Sequence, residues 1–433
     1  MKYVLFLLVP LILWGDLDFV LDHASISAYA IDCRSGKVIL NLEGDKSLIP
    51  ASCMKVVTTG AALHLLGPEG HFQTDLEITG DIKEGVLQGD IIIRGGGDPC
   101  LGSDRSLASL AWEKQIEVWV CAILEKGIKE IRGEIVGDDT RWHRAQAPAS
   151  WAWEDLGNYY GVGASALSFH ENMTTVTFKP GSREGAPATL LHVIPAASNF
   201  IMRNEVTTGP VGSGDRACIY GAEYSTTQYV RGTVPAGVEE FFIKGAIPDP
   251  AKLCSELLMQ ALQKKGIKVH GNSFTKGQKK QVIHTTLSPK INEIIYWTNQ
   301  KSINLYAEHL IKSMGSGTTA NGTQAVIDFW KKQGIEIEGL NMVDGSGLSR
   351  KNFITAKQLV EILVKMKHSS YFSEFYTSLP EEKPGVRAKT GSMSFIRCIT
   401  GYKGDIAFAI LINNGQNGQE MEQKVDQFLT QLP

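Results

Sequence analysis

Residues 49–55 read Ile-Pro-Ala-Ser-Cys-Met-Lys and begin a segment that combines a helix with a reactive pair. Apolar side chains recur at helical spacing over Ser52–Leu66 until Gly67-Pro68 ends the pattern, which predicts a helix. Residues three apart share a helix face, so the Lys55 amine can reach the Ser52 hydroxyl. A serine hydroxyl needs a base, and a lysine serves when burial and a nearby cation lower its pKa. The pattern predicts Ser52 as nucleophile and Lys55 as base.

The same serine–lysine spacing occurs again at Ser273–Lys276. There it follows the strand-like Lys268–Gly271, and an extended chain places residues three apart on opposite faces. We therefore predict no catalytic role for Ser273.

Two further short motifs supply groups that such a site requires. Ser302-Ile303-Asn304 lies between two predicted helices, where side chains two apart can point from a loop into one cleft. Lys389-Thr390-Gly391 lies on the strand-like Arg387–Ser392, where the lysine and threonine can bind a carboxylate and the glycine lets a substrate backbone approach. The three motifs together predict one catalytic site.

The remaining sequence predicts a mixed fold built from both ends of the chain. Strands are predicted near the termini at Ser25–Asp32, Lys37–Leu42, Gly385–Lys389, Arg397–Lys403 and Asp405–Asn413. Helices are predicted at Pro250–Lys265, Ile291–Asn299, Leu305–Met314, Gly322–Gly334, Thr355–Met366 and 418–431. Short β-type runs and turn clusters, with one helical piece near 105–127, occupy residues 70–245. We therefore expect one α+β domain made of residues 16–69 and 246–433, interrupted by a β-rich insert of one or two lobes at 70–245.

Composition excludes several classes of protein. The 433 residues include 44 Gly and are 43% hydrophobic and 21% charged, unlike collagen, disordered chains or multi-span membrane proteins. A net charge of −3 offers no basic surface for nucleic acid. No HExxH, P-loop or G-x-S-x-G motif occurs, and His309 is predicted to be structural. The seven cysteines lack zinc-type spacing and are predicted to be mostly buried thiols, with one or two disulfides left open if the chain is exported.

The N-terminus carries an apolar stretch, Tyr3–Trp14, after Met1-Lys2. It is too short to span ~30 Å of hydrocarbon as a helix, but it fits the apolar region of a signal peptide. We predict that residues 1–15 are a signal peptide or an N-terminal anchor, with a buried core segment as the alternative. Export follows from either form of this segment, with peripheral membrane contact through the N-terminus left open.

The ordered set of three motifs resembles the signature of active-site serine penicillin-recognising enzymes. Because of the long interval from Ser52 to Ser302, the chain resembles in particular the class C low-molecular-mass penicillin-binding proteins. This D-alanyl-D-alanine carboxypeptidase/endopeptidase family carries a large insert at that place. The resemblance extends to Gly97–Pro99, Gly137–Asp139, Trp153–Gly161, Ser165–Phe169, Asn304–Leu310, Asp344–Arg350 and Val386–Gly391. Cys53 and Ser392–Phe395 depart from the family pattern.

The resemblance implies a penicillin-binding α+β fold, in which helices flank an antiparallel sheet and a large β-rich region is inserted. It implies a serine-type D-Ala-D-Ala carboxypeptidase, a D,D-endopeptidase or both, acting on peptidoglycan stem peptides through an acyl-enzyme. β-Lactams would acylate the same serine, and no metal or organic cofactor is required. It implies that the exported protein acts in the periplasm or cell envelope of a bacterium. The oligomeric state is left open.

The resemblance also implies a role for each motif residue. Ser52 would attack the substrate carbonyl, Lys55 would take its proton, and Ser302 would relay a proton to the leaving amine. Asn304 would hold Lys55 and the substrate amide. Lys389 would keep Lys55 neutral and, with Thr390, bind the terminal carboxylate. The strand residues Gly391 and Ser392 would line the substrate, with the backbone N–H groups of Ser52 and Ser392 receiving the oxyanion.

A further prediction concerns the run Trp151-Ala152-Trp153-Glu154-Asp155 in the insert. Such a run can simply pack between lobes. In the family, however, it resembles a segment at the rim of the active site, where Asp155 would bind a free ammonium group of the stem peptide. Arg350 would receive a stem carboxylate.

Two other functions remain open at this point. A β-lactamase of unusual size would share the acylation motifs but would hydrolyse its acyl-enzyme quickly. A catalytically silent wall-binding protein would share the fold but would not be acylated.

Overall fold

The computed structural model describes residues 21, 23–196, 200–272 and 280–433. The predicted signal peptide or anchor and the second serine–lysine copy at Ser273 lie outside the described residues. Within the described ranges, no helix is both long enough and apolar enough to cross a membrane.

The helices and strands of the described residues have the following bounds. The helices are α1 (Met54–Leu65), α2 (Trp112–Glu125), α3 (Pro250–Lys264), α4 (Ile291–Gln300), α5 (Asn304–Met314), α6 (Thr319–Lys332), α7 (Ala356–Lys367), α8 (Phe372–Ser378) and α9 (Gly418–Gln431). The strands are β1 (Ser25–Asp32), β2 (Val38–Leu42), β3 (Ser47–Leu48), β4 (Gln73–Thr79), β5 (Ile82–Lys83), β6 (Val86–Leu87), β7 (Ile91–Arg94), β8 (Glu130–Ile131), β9 (Ile135–Asp138), β10 (Met173–Lys179), β11 (Thr189–Ile194), β12 (Ile201–Gly209), β13 (Arg216–Tyr220), β14 (Thr227–Pro235), β15 (Phe241–Ala246), β16 (Lys268–Val269), β17 (Lys280–Leu287), β18 (Ile354–Thr355), β19 (Glu381–Lys383), β20 (Val386–Met393), β21 (Ile396–Lys403) and β22 (Ile406–Asn413).

The central sheet joins the two ends of the chain, as the sequence predicts. Its order is β19-β20-β21-β22-β1-β2, and every neighbouring pair is antiparallel. β22 is buried along its whole length, so its alternate side chains enter two different cores. Ala407 and Leu411 pack into the core that contains α1 and α7, whereas Phe408 and Ile412 pack into the core that contains α9. Helices therefore flank both faces of the sheet, which confirms the predicted α+β class.

α1 lies at the centre of the helical layer. Every residue from Met54 to Leu63 is buried, and the helix contacts α4, α5, α6 and α7. Gly60 permits the close approach of α6, because a Cβ there would lie 2.9 Å from the indole ring of Trp330. Lys55 lies in the first turn of this helix and is fully buried, so its amine is removed from water.

Two lobes are inserted into this domain. In the first lobe, the sheet β17-β4-β7-β9 packs with α2 and α3 around an apolar core that includes Trp119. In the second lobe, the sheets β11-β10-β15 and β12-β14-β13 enclose a smaller core that includes Phe178 and Ile219.

The packing of α3 and β17 bears on where the insert ends, for which the sequence pattern gives residue 245. α3 contributes Leu253 and Leu258 to the core of this lobe, and β17 pairs with β4. The chain thus returns to the first lobe before it enters α4. We propose that the inserted region ends between Leu287 and Ile291. Helical periodicity could not show this, because it does not reveal which core receives the apolar face of a helix.

Other differences are confined to element ends and to one helix. α2 begins at Trp112 rather than near residue 105, and β20 continues to Met393 because it pairs with β21 over its whole length. α8 was not predicted. All seven cysteines are free thiols and five of them are buried, so neither of the disulfides left open above is formed.

Candidate active site

Ser52 and Lys55 meet at the N-terminal end of α1. Ser52 lies in the 3-10 turn Ala51–Cys53, which leads directly into the helix. Lys55 Nζ lies 3.0 Å from Ser52 Oγ. The serine is partly exposed, whereas the lysine side chain is fully buried. The predicted nucleophile and base are therefore in hydrogen-bond contact.

Two other acceptors orient the Lys55 amine. Lys55 Nζ donates to Asn304 Oδ1 at 2.6 Å and to the Ser346 carbonyl oxygen at 2.7 Å. These two bonds use both hydrogens of a neutral amine. The lone pair of the neutral nitrogen then faces the Ser52 hydroxyl, which can donate its proton to it. This arrangement is the one that a general base requires.

The electrostatics of the site favour a neutral Lys55. Burial lowers the pKa of Lys55 well below its usual value, and the positive charge of Lys389 lowers it further. A negative charge on Asp344 or on Glu308 acts in the opposite direction. Burial also lowers the pKa of Lys389, which is 2% exposed. The stronger depression falls on the lysine that has to be neutral.

β20 forms the opposite wall of the site. A Cβ on Gly391 would lie 2.5 Å from the Pro50 carbonyl oxygen and 3.1 Å from the Ser52 nitrogen. Glycine is therefore needed for the strand to approach the turn that carries the nucleophile. Thr390 and Ser392 are exposed on either side of it.

Lys389 and Cys53 tie this strand to the nucleophile turn. Lys389 Nζ donates to the Thr390 carbonyl at 2.7 Å. The Cys53 thiol, buried beside the nucleophile, donates to the Lys389 carbonyl at 3.2 Å. The departure from the family pattern at Cys53 thus has a structural use, because the thiol bonds the turn to β20.

Ser302 and Asn304 stand where α5 begins. Ser302 has a φ of 54°, a left-handed conformation that costs energy for a residue with a side chain and is often found at functional sites. Asn304 Nδ2 donates to the Tyr160 carbonyl at 2.8 Å, so the insert helps to hold the amide that contacts Lys55. The proton relay through Ser302 stays a prediction.

The loop 344–349 is a part of the site to which sequence reasoning assigned no role. Its Ser346 carbonyl accepts from Lys55, and its Gly347 has a φ of 83° and lies against Ala51, where a Cβ would meet the carbonyl oxygen at 1.8 Å. Asp344 organises the loop from within. The sequence signal was the glycine-rich segment Asp344–Arg350 itself, which indicates a tight turn but not what the turn contacts.

Asp155 and Arg350 lie near each other in the fold. Burial raises the pKa of Asp155, and a hydrogen bond with the Tyr160 side chain and the nearby charge of Arg350 oppose this effect. Arg350 Nη2 donates to the Ser394 carbonyl at 3.2 Å, next to the end of β20. Binding of a stem ammonium by Asp155 and of a stem carboxylate by Arg350 stay predictions.

Trp151, from the same run as Asp155, has a structural role. It is buried, and its Nε1 donates to Asp344 Oδ2 at 2.9 Å. His309 is structural as predicted, because it is fully buried between the Gly97 carbonyl and the Ser168 hydroxyl.

Comparison with known protein families gives the class to which this site belongs. The model of the D-Ala-D-Ala carboxypeptidase 3 (S13) family matches residues 17–432. The chain belongs to this family. It is accordingly a D-Ala-D-Ala carboxypeptidase of the serine type, as the ordered motifs predicted.

Individual relatives match nearly the whole chain. The D-alanyl-D-alanine carboxypeptidase of Actinomadura sp. (strain R39) is 28% identical over 450 residues, covering 93% of this chain and 81% of the relative. The D-alanyl-D-alanine carboxypeptidase DacB of Haemophilus influenzae is 23% identical over 434 residues, covering 93% and 88%. The crystal structure of penicillin binding protein 4 (dacB) from Haemophilus influenzae superposes with a TM-score of 0.77 and 21% identity over 92% of each chain. This likeness confirms the penicillin-binding fold.

Proposed function

We propose that this S13 peptidase cleaves D-alanyl-D-X bonds in peptidoglycan stem peptides through an acyl-enzyme on Ser52, with Lys55 as the base. The observation that carries the proposal is the buried Lys55 amine. It gives its two hydrogens to Asn304 and Ser346 and lies 3.0 Å from the Ser52 hydroxyl. A hydroxyl held against a neutral amine in this way is an activated nucleophile.

The reaction follows from this geometry in two halves. Ser52 Oγ attacks the penultimate D-alanine carbonyl while its proton passes to Lys55 Nζ. The oxyanion that forms is bound by the backbone N–H groups of Ser52 and Ser392. The C–N bond then breaks, a proton reaches the leaving amine through Ser302, and the stem peptide remains as an ester on Ser52. Water, deprotonated by Lys55, hydrolyses the ester and restores the Ser52 hydroxyl.

We assign to strand β20 the binding of the C-terminal residue that the substrate loses in the reaction. The ammonium of Lys389 and the exposed Thr390 hydroxyl would receive the terminal carboxylate, and Gly391 leaves the strand flat beside the substrate. A related Haemophilus influenzae protein of the same fold has been crystallised with a β-lactam. β-Lactams are accordingly proposed as acylating inhibitors here, and the periplasm or cell envelope as the location where the substrate is met.

The substrate test compares two purified muropeptides, a pentapeptide monomer and a cross-linked dimer. Release of D-alanine from the monomer is expected and would be blocked by prior treatment with penicillin. Cleavage of the dimer would add D,D-endopeptidase activity. A penicilloyl adduct that is hydrolysed within seconds would instead indicate a β-lactamase, and the absence of any adduct would indicate a silent wall-binding protein.

The first prediction concerns the charge beside the base. Lys389→Ala should raise the pKa of Lys55, because it removes a positive charge that lowers that pKa. Acylation is lost as the pH falls through the pKa of Lys55, so the acidic limb of the penicillin acylation rate should move to higher pH. Lys389→Arg keeps the charge and should leave the limb near its original position. An unmoved limb in the alanine variant would contradict the coupling, whatever the change in absolute rate.

The second prediction concerns Asp155 as a binding group for a free ammonium on the stem peptide. A charged hydrogen bond contributes about 1.5–3 kcal/mol, which corresponds to about ten- to a hundredfold in recognition. Asp155→Asn should weaken turnover of stem peptides that carry a free side-chain amine by that factor. Acylation by benzylpenicillin, which lacks the amine, should hardly change. The matched control is Glu154→Gln, an exposed carboxylate next in sequence that should affect neither reaction. Equal losses for both substrates of the Asp155 variant would assign it to the fold.

A further inference from the structure

Two fully buried carboxyl groups, Glu308 and Asp344, lie behind the Lys55 amine and take no part in the reaction as described so far. Glu308 is on α5, one turn after Asn304. Asp344 begins the loop whose Ser346 carbonyl accepts from Lys55. An ionised carboxyl group is costly away from water unless hydrogen bonds or opposite charges compensate it, so the burial of both groups needs an explanation.

Glu308 accepts hydrogen bonds from the peptide segment whose carbonyl accepts from Lys55. Glu308 Oε1 accepts from the backbone N–H of Gly345 at 3.0 Å and of Ser346 at 2.8 Å. The Gly345 carbonyl accepts from the Thr58 hydroxyl of α1 at 2.7 Å. Every backbone polar group of this dipeptide is thus bonded, and its remaining acceptor, the Ser346 carbonyl, points at Lys55 Nζ.

The loop cannot shift freely to compensate for the loss of these bonds. A Cβ on Gly345 would lie 2.3 Å from Ile311 Cγ1, so the loop is pressed onto α5. Its position relative to Lys55 is therefore set by contacts to α5 and α1 together.

We propose that Glu308 is a positioning residue for the base: it fixes the Gly345–Ser346 peptide so that the Ser346 carbonyl takes one hydrogen of Lys55 and the lone pair of Nζ points at Ser52. The proposal deepens the proposed function and rests on it for the roles of Ser52 and Lys55.

The hydrogen bonds show which carboxyl of the pair carries the negative charge. Asp344 accepts four donors, two on each oxygen: Gly347 N, Asn352 Nδ2, Ser349 N and Trp151 Nε1. Glu308 Oε2 is buried without a hydrogen-bond partner among the described residues. Donors stabilise the charged form of a carboxyl, so the four donors on Asp344, against two on Glu308, favour the carboxylate at Asp344 and the neutral acid at Glu308.

Burial and the charge of Asp344 agree with this assignment. The charged or titratable groups that face Glu308 are Lys55 from α1, Asp344 from the loop and Lys312 from its own helix. Burial raises the pKa of Glu308 to about 8, and the Asp344 charge contributes to the increase. A neutral Glu308 keeps a second negative charge away from Lys55, where it would favour the protonated, inactive amine.

The experiment compares Glu308→Gln with Glu308→Ala in the full chain. Glutamine is neutral and keeps an oxygen for the Gly345 and Ser346 N–H groups, so penicillin acylation should stay within about threefold of wild type, with the acidic limb of its pH profile unmoved. Alanine leaves both N–H groups unpaired, so the Gly345–Ser346 peptide is no longer held in one orientation, and acylation should fall by about ten- to a hundredfold, since small displacements of a catalytic group have effects of this size. A glutamine variant as slow as the alanine variant would overturn the positioning role.

A spectroscopic measurement tests the protonation state without reference to activity. The infrared difference spectrum between wild type and Glu308→Gln near neutral pH should show the loss of one protonated-carboxyl C=O band. Loss of a carboxylate band instead, together with an acidic limb that moves to lower pH in the glutamine variant, would show that Glu308 is ionised and would overturn the assignment. If the alanine variant does not fold, the acylation rate of the glutamine variant still tests the positioning role, and the infrared spectrum still tests the protonation state of Glu308. If wild type is not acylated on Ser52, the proposed function fails, and the infrared result for Glu308 stands separately.

Discussion

Ser52→Ala is expected to abolish covalent labelling by penicillin and release of D-alanine, while the fold stays intact. The reason is that the Ser52 oxygen is the atom acylated, and no other group of the site can replace it. The side chain is partly exposed and small, so its loss leaves no large cavity. Labelling is measured with a fluorescent penicillin on a denaturing gel, and folding by thermal denaturation.

The control for this experiment is the other serine–lysine copy. Ser273→Ala should retain wild-type labelling, because Ser273 belongs to a chance match of the pattern. Labelling that persists in the Ser52 variant and disappears in the Ser273 variant would show that the nucleophile has been assigned to the wrong motif.

Lys55→Met is expected to lower the acylation rate by a factor of about 100 to 10,000, the usual contribution of a general base. Methionine is of similar length and apolar, so it suits a fully buried position and isolates the loss of the amine. The variant leaves Asn304 Oδ1 and the Ser346 carbonyl without their donor, which costs about 1–3 kcal/mol for each buried group. The rate is measured as the initial rate of penicillin labelling, with stability followed in parallel by chemical denaturation.

A second lysine provides the matched control. Lys403 on β21 donates to the carbonyls of Leu429 and Leu432, so Lys403→Met likewise deprives two acceptors, here both backbone carbonyls, of a partner. It has no contact with Ser52 and should lose stability without losing acylation. Equal rates for the two methionine variants would mean that Lys55 supports the fold and is not the base.

The Ser52–Lys55 pair was predictable because it is local. A helix places residues three apart on one face whatever surrounds it, so the spacing was sufficient to predict the contact. The central sheet was predictable for a related reason, since alternating strands at both ends of the chain had to bury their apolar faces against the intervening helices.

The assignment of α3 shows that helical periodicity in the sequence does not predict which core a helix packs into. Its apolar stripe predicted a helix correctly, but the stripe packs into the first inserted lobe and not into the domain with which the sequence grouped it. The apolar face of a helix is complementary to many cores, and the choice among them depends on long-range pairing such as that of β17 with β4.

The sequence alone thus determined the family and the α+β class, and it predicted Ser52 as the nucleophile and Lys55 as the base, because these depend on local spacing and on the order of three motifs. Only the tertiary structure decided how the Lys55 amine is held. Lys55 takes its two orienting acceptors from Asn304 and Ser346, which are 249 and 291 residues away along the chain. It also showed that Glu308 and Asp344 lie behind that carbonyl, fully buried. Burial and long-range hydrogen bonds determine the direction in which the pKa of each of these groups is shifted. Neither the burial nor the long-range bonds can be read from the neighbours of a residue in the sequence.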